Sequence, residues 1–156
     1  MPLIEVRVAA KQLSDSIKYR IATELSKAFV EHLGVSSANA TAVSITRVEF
    51  VEFAVGDVFQ GSKLATGVVR ISFFVPGGAM SDSARASLAE AADRILAQHQ
   101  NLSPLSAEGQ SRWCMFFDMP DGSWASNGAV YDWRAIKRYV ARDEFARRRA
   151  GRAPPA

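Results

Sequence analysis

Between Leu3 and Val8 every second residue is apolar, which predicts a β-strand with one buried face. The segment Ser14-Asp15-Ser16 supplies the side-chain oxygens that favour the start of a helix. Apolar residues then recur at helical spacing as far as Gly34, where a glycine is typical of a helix end. Residues Val43 to Phe50 predict a second strand, and residues 54–62 form a turn-rich loop suited to a short hairpin.

The same pattern returns 67 residues later. Residues Val69 to Val75 alternate like the first strand, and Ser81-Asp82-Ser83 repeats the helix-start segment. His99 falls at the position of His32, and Trp113 to Phe117 predicts the closing strand of the second unit. Helix starts, apolar phase and a histidine that all match at one offset favour an internal duplication.

These elements predict an α+β fold. A single strand–helix–strand unit is too small to be stable alone, so two fused β-α-β units are expected to form one four-stranded mixed sheet with two helices on one face. A C-terminal helix from Asp132 to about Arg148 follows them. The predicted domain spans 1–140 (unit one 2–62, unit two 66–120, closing loop and helix start 121–140), and 141–156 forms a basic helix end and loose tail.

The other face of the sheet has too much apolar surface to stay in water, which predicts an oligomer. The chain has a formal net charge of +3, and the whole excess comes from residues 141–156. A loose basic tail does not resemble a folded phosphate-binding face, so no nucleic-acid partner is expected. No apolar run is long enough for a membrane span, and no signal peptide is evident, so we expect a soluble, cytoplasmic protein without a membrane partner.

Pro2 is the candidate for chemistry. A small residue after Met1 favours removal of that methionine, which would leave the secondary amine of Pro2 free. An α-amino group titrates near ~8 in water, and desolvation lowers that pKa toward values that suit a general base. The alternative is structural, because a proline is also common at the first residue of an edge strand.

A strand that opens with Met-Pro, a crossover helix and a duplicated β-α-β unit together resemble the tautomerase superfamily. The fused length and the segments Ala54–Gly61 and Trp113–Pro120 are similar to the cis-3-chloroacrylic acid dehalogenase group. The resemblance implies a homotrimer in which Pro2 acts as base, acid or nucleophile on a small carboxylated substrate. The sequence contains no Walker, dinucleotide, nucleophile-elbow or zinc motif, so we expect no cofactor and no bound metal.

Most of that group's other catalytic residues have no counterpart here. Its histidine and tyrosine align with Phe29 and Met115, its glutamate aligns near Ser126, and its arginine pair falls on residues 76–80, which lack arginine. Pro2 and Trp113 alone carry over. Hydrolytic dehalogenation needs a base for water and a cationic clamp, so that activity is not expected. Gly77-Gly78, ahead of the second helix, either offers backbone N–H groups to an anion or is simply a turn.

The predicted catalytic residue is Pro2. The predicted substrate contacts are apolar or polar side chains expected around it: Trp113, Ser126, Asn127, Arg70, Phe29 and Met115. Arg70 lies on the face opposite the helices, where an interface salt bridge is the competing interpretation. We therefore expect a tautomerase that uses Pro2 as general base on a small enolisable carbonyl or 2-oxo acid. The alternatives are a Pro2-dependent lyase (hydratase, decarboxylase or dehalogenase type) and a catalytically silent trimeric binding module.

Overall fold

The computed structural model describes residues 2–65, 69–100 and 112–150. The elements in chain order are β1 (Leu3–Ala9), α1 (Asp15–His32), α2 (Ala40–Ser44), β2 (Arg47–Phe53), β3 (Phe59–Gln60), β4 (Lys63–Leu64), β5 (Val69–Pro76), α3 (Asp82–Gln100), β6 (Arg112–Met119), β7 (Trp124–Ser126), β8 (Ala129–Tyr131) and α4 (Trp133–Ala150). None of the helices in these ranges has both the length and the apolar character needed to cross a membrane.

The main sheet has the strand order β2-β1-β5-β6. Each unit contributes one parallel pair, β1 with β2 and β5 with β6, and the two units join through the antiparallel pair β1 and β5. In that central pair Leu3 lies opposite Phe74, and Arg7 lies opposite Arg70. The predicted four-stranded mixed sheet is confirmed, and its antiparallel centre sends the two units in opposite directions.

Helices α1 and α3 cover one face of this sheet. The residues that lie between helices and sheet are buried and apolar, among them Ile4, Val6, Val8, Ile21, Leu25, Phe29, Ile71, Phe73, Val75, Leu88 and Leu96. Phe73 is at the centre, with its ring 5.3 Å from those of Phe29 and Phe116. Burying a side chain of this size contributes about 1.5–3 kcal/mol, so this layer is the main source of the fold's stability.

The two helix starts have the same hydrogen bonds. In α1 the Ser14 hydroxyl accepts from the Ile17 N–H at 3.4 Å and lies 3.0 Å from the Ser16 hydroxyl. In α3 the Ser81 hydroxyl accepts from the Ala84 N–H at 3.2 Å and again lies 3.0 Å from a second hydroxyl, that of Ser83. A short hairpin follows the second strand of each unit, β3–β4 in the first and β7–β8 in the second. The duplicated unit is therefore a β-α-β motif with a hairpin attached.

The predicted start of the second strand is wrong. Residues 43 and 44 belong to the short helix α2, and β2 begins only at Arg47. The Asn39 side chain accepts from the Ala42 N–H at 3.0 Å, and the Thr46 hydroxyl donates to the Ala42 carbonyl at 3.0 Å. These caps at both ends keep the intervening β-branched residues helical. The other three strands lie where they were predicted and extend one or two residues further.

The helix-free face of the sheet carries the residues that were predicted there. Arg70 Nη2 lies 3.3 Å from Glu5 Oε1, and the rings of Phe74 and Phe117 stack with centroids 5.0 Å apart. On the edge strand β6 the side chains that point to this face remain substantially exposed: Trp113, Met115 and Phe117. An apolar row of this kind on a sheet edge is typical of a surface that a partner covers.

Candidate active site

Pro2 lies directly before β1, an inner strand with a neighbour on each side. Its carbonyl accepts a hydrogen bond from the Arg47 N–H at 2.9 Å, which fixes residue 2 against the start of β2. The side chain is buried. The edge-strand explanation of this proline therefore does not apply, since residue 2 begins a strand in the middle of the sheet.

Pro2 borders a small cavity of about 20 Å³. The other residues around it are apolar: Val30, Leu33, Val35, Ala42, Ile45, Trp133, Ile136 and Val140. A cavity of this size holds about one water molecule. None of the described side chains that line this cavity is charged.

Helix α4 covers this cavity with three of the lining side chains, Trp133, Ile136 and Val140. The helix is held at its start by the Asp121 carboxylate, which accepts from the Trp133 N–H at 3.0 Å. Two turns further along, the Asn39 amide donates to the Val140 carbonyl at 3.4 Å. Helix α4 was not predicted to line the site, although the spacing of its apolar residues is typical of a packed helix face.

None of the six predicted substrate contacts is among the residues that line this cavity in the described part of one subunit. Phe29 is fully buried in the core beneath α1, against Phe73. Met115 lies on the helix-free face of β6. Ser126 and Asn127 belong to the β7–β8 hairpin, which leaves the sheet at the same end as Pro2.

Arg70 and Trp113 lie at the opposite end of the sheet from Pro2. The strand register aligns Arg7 with Arg70 and Arg70 with Trp113. Arg7 is the fifth residue after Pro2, and five steps along a β-strand span ~17 Å. Arg70 and Trp113 line a separate pocket of about 490 Å³ together with Arg7, Phe53, Asp57, Val58, Phe59, Gln60, Gly61 and Ala65.

The segment Gly77-Gly78 is a turn. The Gly77 N–H donates to the Met119 carbonyl at 2.7 Å, and a Cβ at residue 77 would lie 3.1 Å from that same oxygen. Gly78 has a φ of 70°, in the left-handed region that favours glycine. Since the first of the two N–H groups already has a partner, the turn interpretation replaces the anion site.

The two histidines and the cysteine lie away from Pro2. His32 contacts the Ala28 carbonyl at 2.7 Å and the Ser87 hydroxyl at 3.1 Å, so it links α1 to α3. His99 in α3 lies 2.8 Å from the carboxylate of Glu24 in α1, which links the same two helices a second time. Burial raises the pKa of the Cys114 thiol to about 12, which leaves it protonated and unreactive at neutral pH.

Comparison with solved structures yields similar folds over most of the chain. A protein described as R7 fused 4-OT wild type, an asymmetric trimer, is 20% identical with a TM-score of 0.66, over 87% of this chain and 99% of that one. N1, a member of the cis-3-chloroacrylic acid dehalogenase family, is 15% identical with a TM-score of 0.70, over 89% and 90%. Pt0534, inactivated by 2-oxo-3-pentynoate, is 14% identical with a TM-score of 0.66, over 86% and 98%.

No protein-family model matches the sequence, and a comparison with curated proteins gives no match. At these low identities the structural likeness concerns the fold. It covers both duplicated units and joins fused 4-OT proteins with members of the dehalogenase family that the sequence resembles. The fold implied by the resemblance is thus confirmed, and this chain shares the architecture of these fused 4-OT and dehalogenase-family structures.

Proposed function

We propose that this protein is a tautomerase that uses the amine of Pro2 as a general base on a small enolisable carbonyl compound or 2-oxo acid. The observation that carries the proposal is the burial of Pro2 at the head of an inner strand, beside a cavity whose described lining is apolar. The proposal requires removal of Met1, because only then is the proline nitrogen a free amine.

In the proposed reaction the neutral amine of Pro2 takes a proton from the carbon or oxygen at one end of the enolisable system. The resulting ammonium returns a proton at the other end, so substrate and product have the same composition. The apolar lining supports this role because desolvation destabilises the ammonium, and a lowered pKa keeps the amine neutral near pH 7. No cofactor enters this scheme.

A substrate needs more room than the cavity provides. Small-molecule sites occupy roughly 300–1,000 Å³, whereas the space beside Pro2 amounts to about 20 Å³. We therefore propose that α4 moves away from Pro2 to admit the substrate. This movement must break the hydrogen bonds that hold the covering part of the helix, from the Trp133 N–H to Asp121 and from the Asn39 amide to the Val140 carbonyl.

We propose a homotrimer as the working form. The exposed side chains of Met115 and Phe117 on β6 support a covered surface, and the similar fused 4-OT protein is described as a trimer. Within one subunit Arg70 and Trp113 are ~17 Å from Pro2 along the strands. Within one subunit, therefore, neither of these two predicted contacts reaches a substrate at Pro2, while Ser126 and Asn127 belong to the hairpin at the Pro2 end.

The first test is ketonisation of phenylenolpyruvate by the purified protein. Replacement Pro2→Ala removes the ring amine and should lower kcat/KM by about a hundredfold or more, the usual contribution of a general base. The matched control is Pro120→Ala, which changes an exposed turn proline and should leave the rate unaltered. Equal rates for both variants would remove Pro2 from the mechanism.

The small volume of the cavity, about 20 Å³, favours one other candidate, a catalytically silent binding module. The compound 2-oxo-3-pentynoate, which inactivates the similar protein Pt0534, separates the two. A tautomerase of the proposed kind should gain one equivalent of the compound on the peptide that begins with Pro2, as measured by mass spectrometry. A chain that keeps Met1 and gains no label would be the binding module.

A further inference from the structure

The pocket at the far end of the sheet is large enough for a ligand. Its volume of about 490 Å³ lies within the range of small-molecule sites. One wall is the helix-free face of the sheet. The other is formed by residues 57–61, which comprise the first half of the β3–β4 hairpin and the two residues before it. We refer to this space as the arginine pocket, after Arg7 and Arg70 in its wall.

The two arginines are direct neighbours on adjacent strands, since Arg7 is the register partner of Arg70. Arg70 shares one nitrogen with Glu5 at 3.3 Å, but its Nε is buried and has no hydrogen-bond partner among the described residues. Arg7 makes no ion pair within those same residues. Adjacent guanidinium groups with unused donors suit a carboxylate, which can accept two parallel hydrogen bonds.

Aromatic side chains form the remainder of the site. Trp113 and Phe59 line the pocket with more than half of their surface exposed, at 56% and 63%. Phe53 lines the same wall. Exposed rings of this kind gain most from a flat apolar ligand that covers them.

Two carboxylates limit the charge that the pocket can accept. Asp57 is in its lining, and Glu5 contacts Arg70. Together they offset the charge of the two guanidinium groups, so a ligand with two or more negative charges meets repulsion as well as attraction. The composition of the pocket thus favours a monoanion over a phosphate-rich ligand.

The internal duplication gives this pocket a clear relation to Pro2. At the repeat offset of 67 residues, the counterpart of Pro2 is Val69, which begins β5 but lies within the chain and so has no free amine. The arginine pocket therefore lies at the end of the sheet that lacks the proposed chemistry.

We propose that the arginine pocket is a second ligand site that binds an aromatic monocarboxylate. The carboxylate lies against Arg7 and Arg70, and the ring covers Trp113. The site is ~17 Å from Pro2 along one subunit, and it does not depend on whether Pro2 is catalytic.

Binding of benzoate to the full-length assembled protein tests this proposal, with the neutral benzamide as the matched probe. In NMR spectra of the ¹⁵N-labelled protein, benzoate should shift the indole signal of Trp113, which Trp113→Phe identifies by its loss. Benzamide should bind about tenfold more weakly or worse, because it cannot form the charge-assisted hydrogen bonds. Absence of a saturable shift with benzoate would overturn the proposal.

Arginine variants locate the binding. Arg7→Gln should weaken benzoate about tenfold or more, and Arg7→Lys should weaken it less, because the charge remains while the two-pronged geometry is lost. Arg20→Gln, which changes an exposed helix arginine, and Pro2→Ala should both bind like the wild type. An affinity for benzoate that is unchanged in both Arg7→Gln and Arg7→Lys would contradict the site. Benzoate that shifts the indole signal of Trp133, beside Pro2, and no longer binds to Pro2→Ala would contradict it as well.

Discussion

At the scale of single residues, the chemistry of this protein depends on how the fold treats each titratable group. Pro2 is buried and Cys114 is half-buried, and desolvation shifts the pKa of an amine and of a thiol in opposite directions. For an amine the charged form is protonated, so burial lowers the pKa. For a thiol the charged form is the thiolate, so burial raises it. Desolvation would thus favour the proposed base at Pro2, while it suppresses ionisation of the Cys114 thiol.

The thiol gives a direct prediction. Burial raises the pKa of Cys114 from 9.0 to about 12, so the thiolate fraction at pH 8 falls by about a thousandfold. Alkylation of the native protein by iodoacetamide at pH 8 should therefore be slower than alkylation of the urea-unfolded chain by at least two orders of magnitude. Equal rates in the two states would mean that Cys114 is accessible and ionised.

At the scale of elements, α4 decides whether Pro2 can meet a substrate. Ile136 is buried in the cover of the cavity, and removing such a side chain to alanine costs about 2 kcal/mol or more. Ile136→Ala should therefore speed amide hydrogen exchange in α4 by about thirtyfold. It should also speed labelling of Pro2 by 2-oxo-3-pentynoate.

The control on the same helix is Tyr139→Ala. The Tyr139 side chain is 60% exposed, so its removal should change the unfolding free energy by no more than about 0.5 kcal/mol. Exchange and labelling in this variant should match the wild type. Labelling that is equally fast in all three proteins would mean that α4 does not restrict access to Pro2.

The elements also show what the sequence could and could not predict. The duplicated units were predictable because their serine caps and apolar phases repeat at one offset. Helix α2 was missed because the side chains of Asn39 and Thr46, rather than the apolar pattern, decide its conformation. A short cap-dependent helix followed by a strand gives no periodic signal that separates the two.

The site was predictable only in part for a different reason. Pro2 could be chosen from its position and chemistry alone. Whether Arg70 and Trp113 lie near Pro2 or at the far end of the sheet depends on the antiparallel pairing of β1 with β5 and on the register of each strand pair. Local sequence patterns do not contain that information. The cover by α4 likewise depends on a tertiary contact that begins with Asp121.

At the scale of the whole molecule, the uncovered sheet face predicts the assembly. If β6 lies in a trimer interface, a charge placed there must be buried or the interface must open. Met115→Asp should therefore shift the protein from trimer to monomer in light scattering with size-exclusion chromatography. Tyr19→Asp places the same charge on an exposed position of α1 and should leave the mass unchanged. A wild-type protein that elutes as a monomer would contradict the assembly.

The proposed general-base mechanism requires a free amine at residue 2 that its apolar surroundings keep neutral. Its direct measurement is an NMR titration of the protein with ¹³C-labelled proline, in which the Pro2 signals are identified by their absence in Pro2→Ala. We predict a pKa for Pro2 below the ~8 of an exposed α-amino group, with kcat/KM rising as pH passes through that value because the neutral form is the base. A pKa at or above ~8, or a rate that falls as Pro2 loses its proton, would contradict the general-base mechanism.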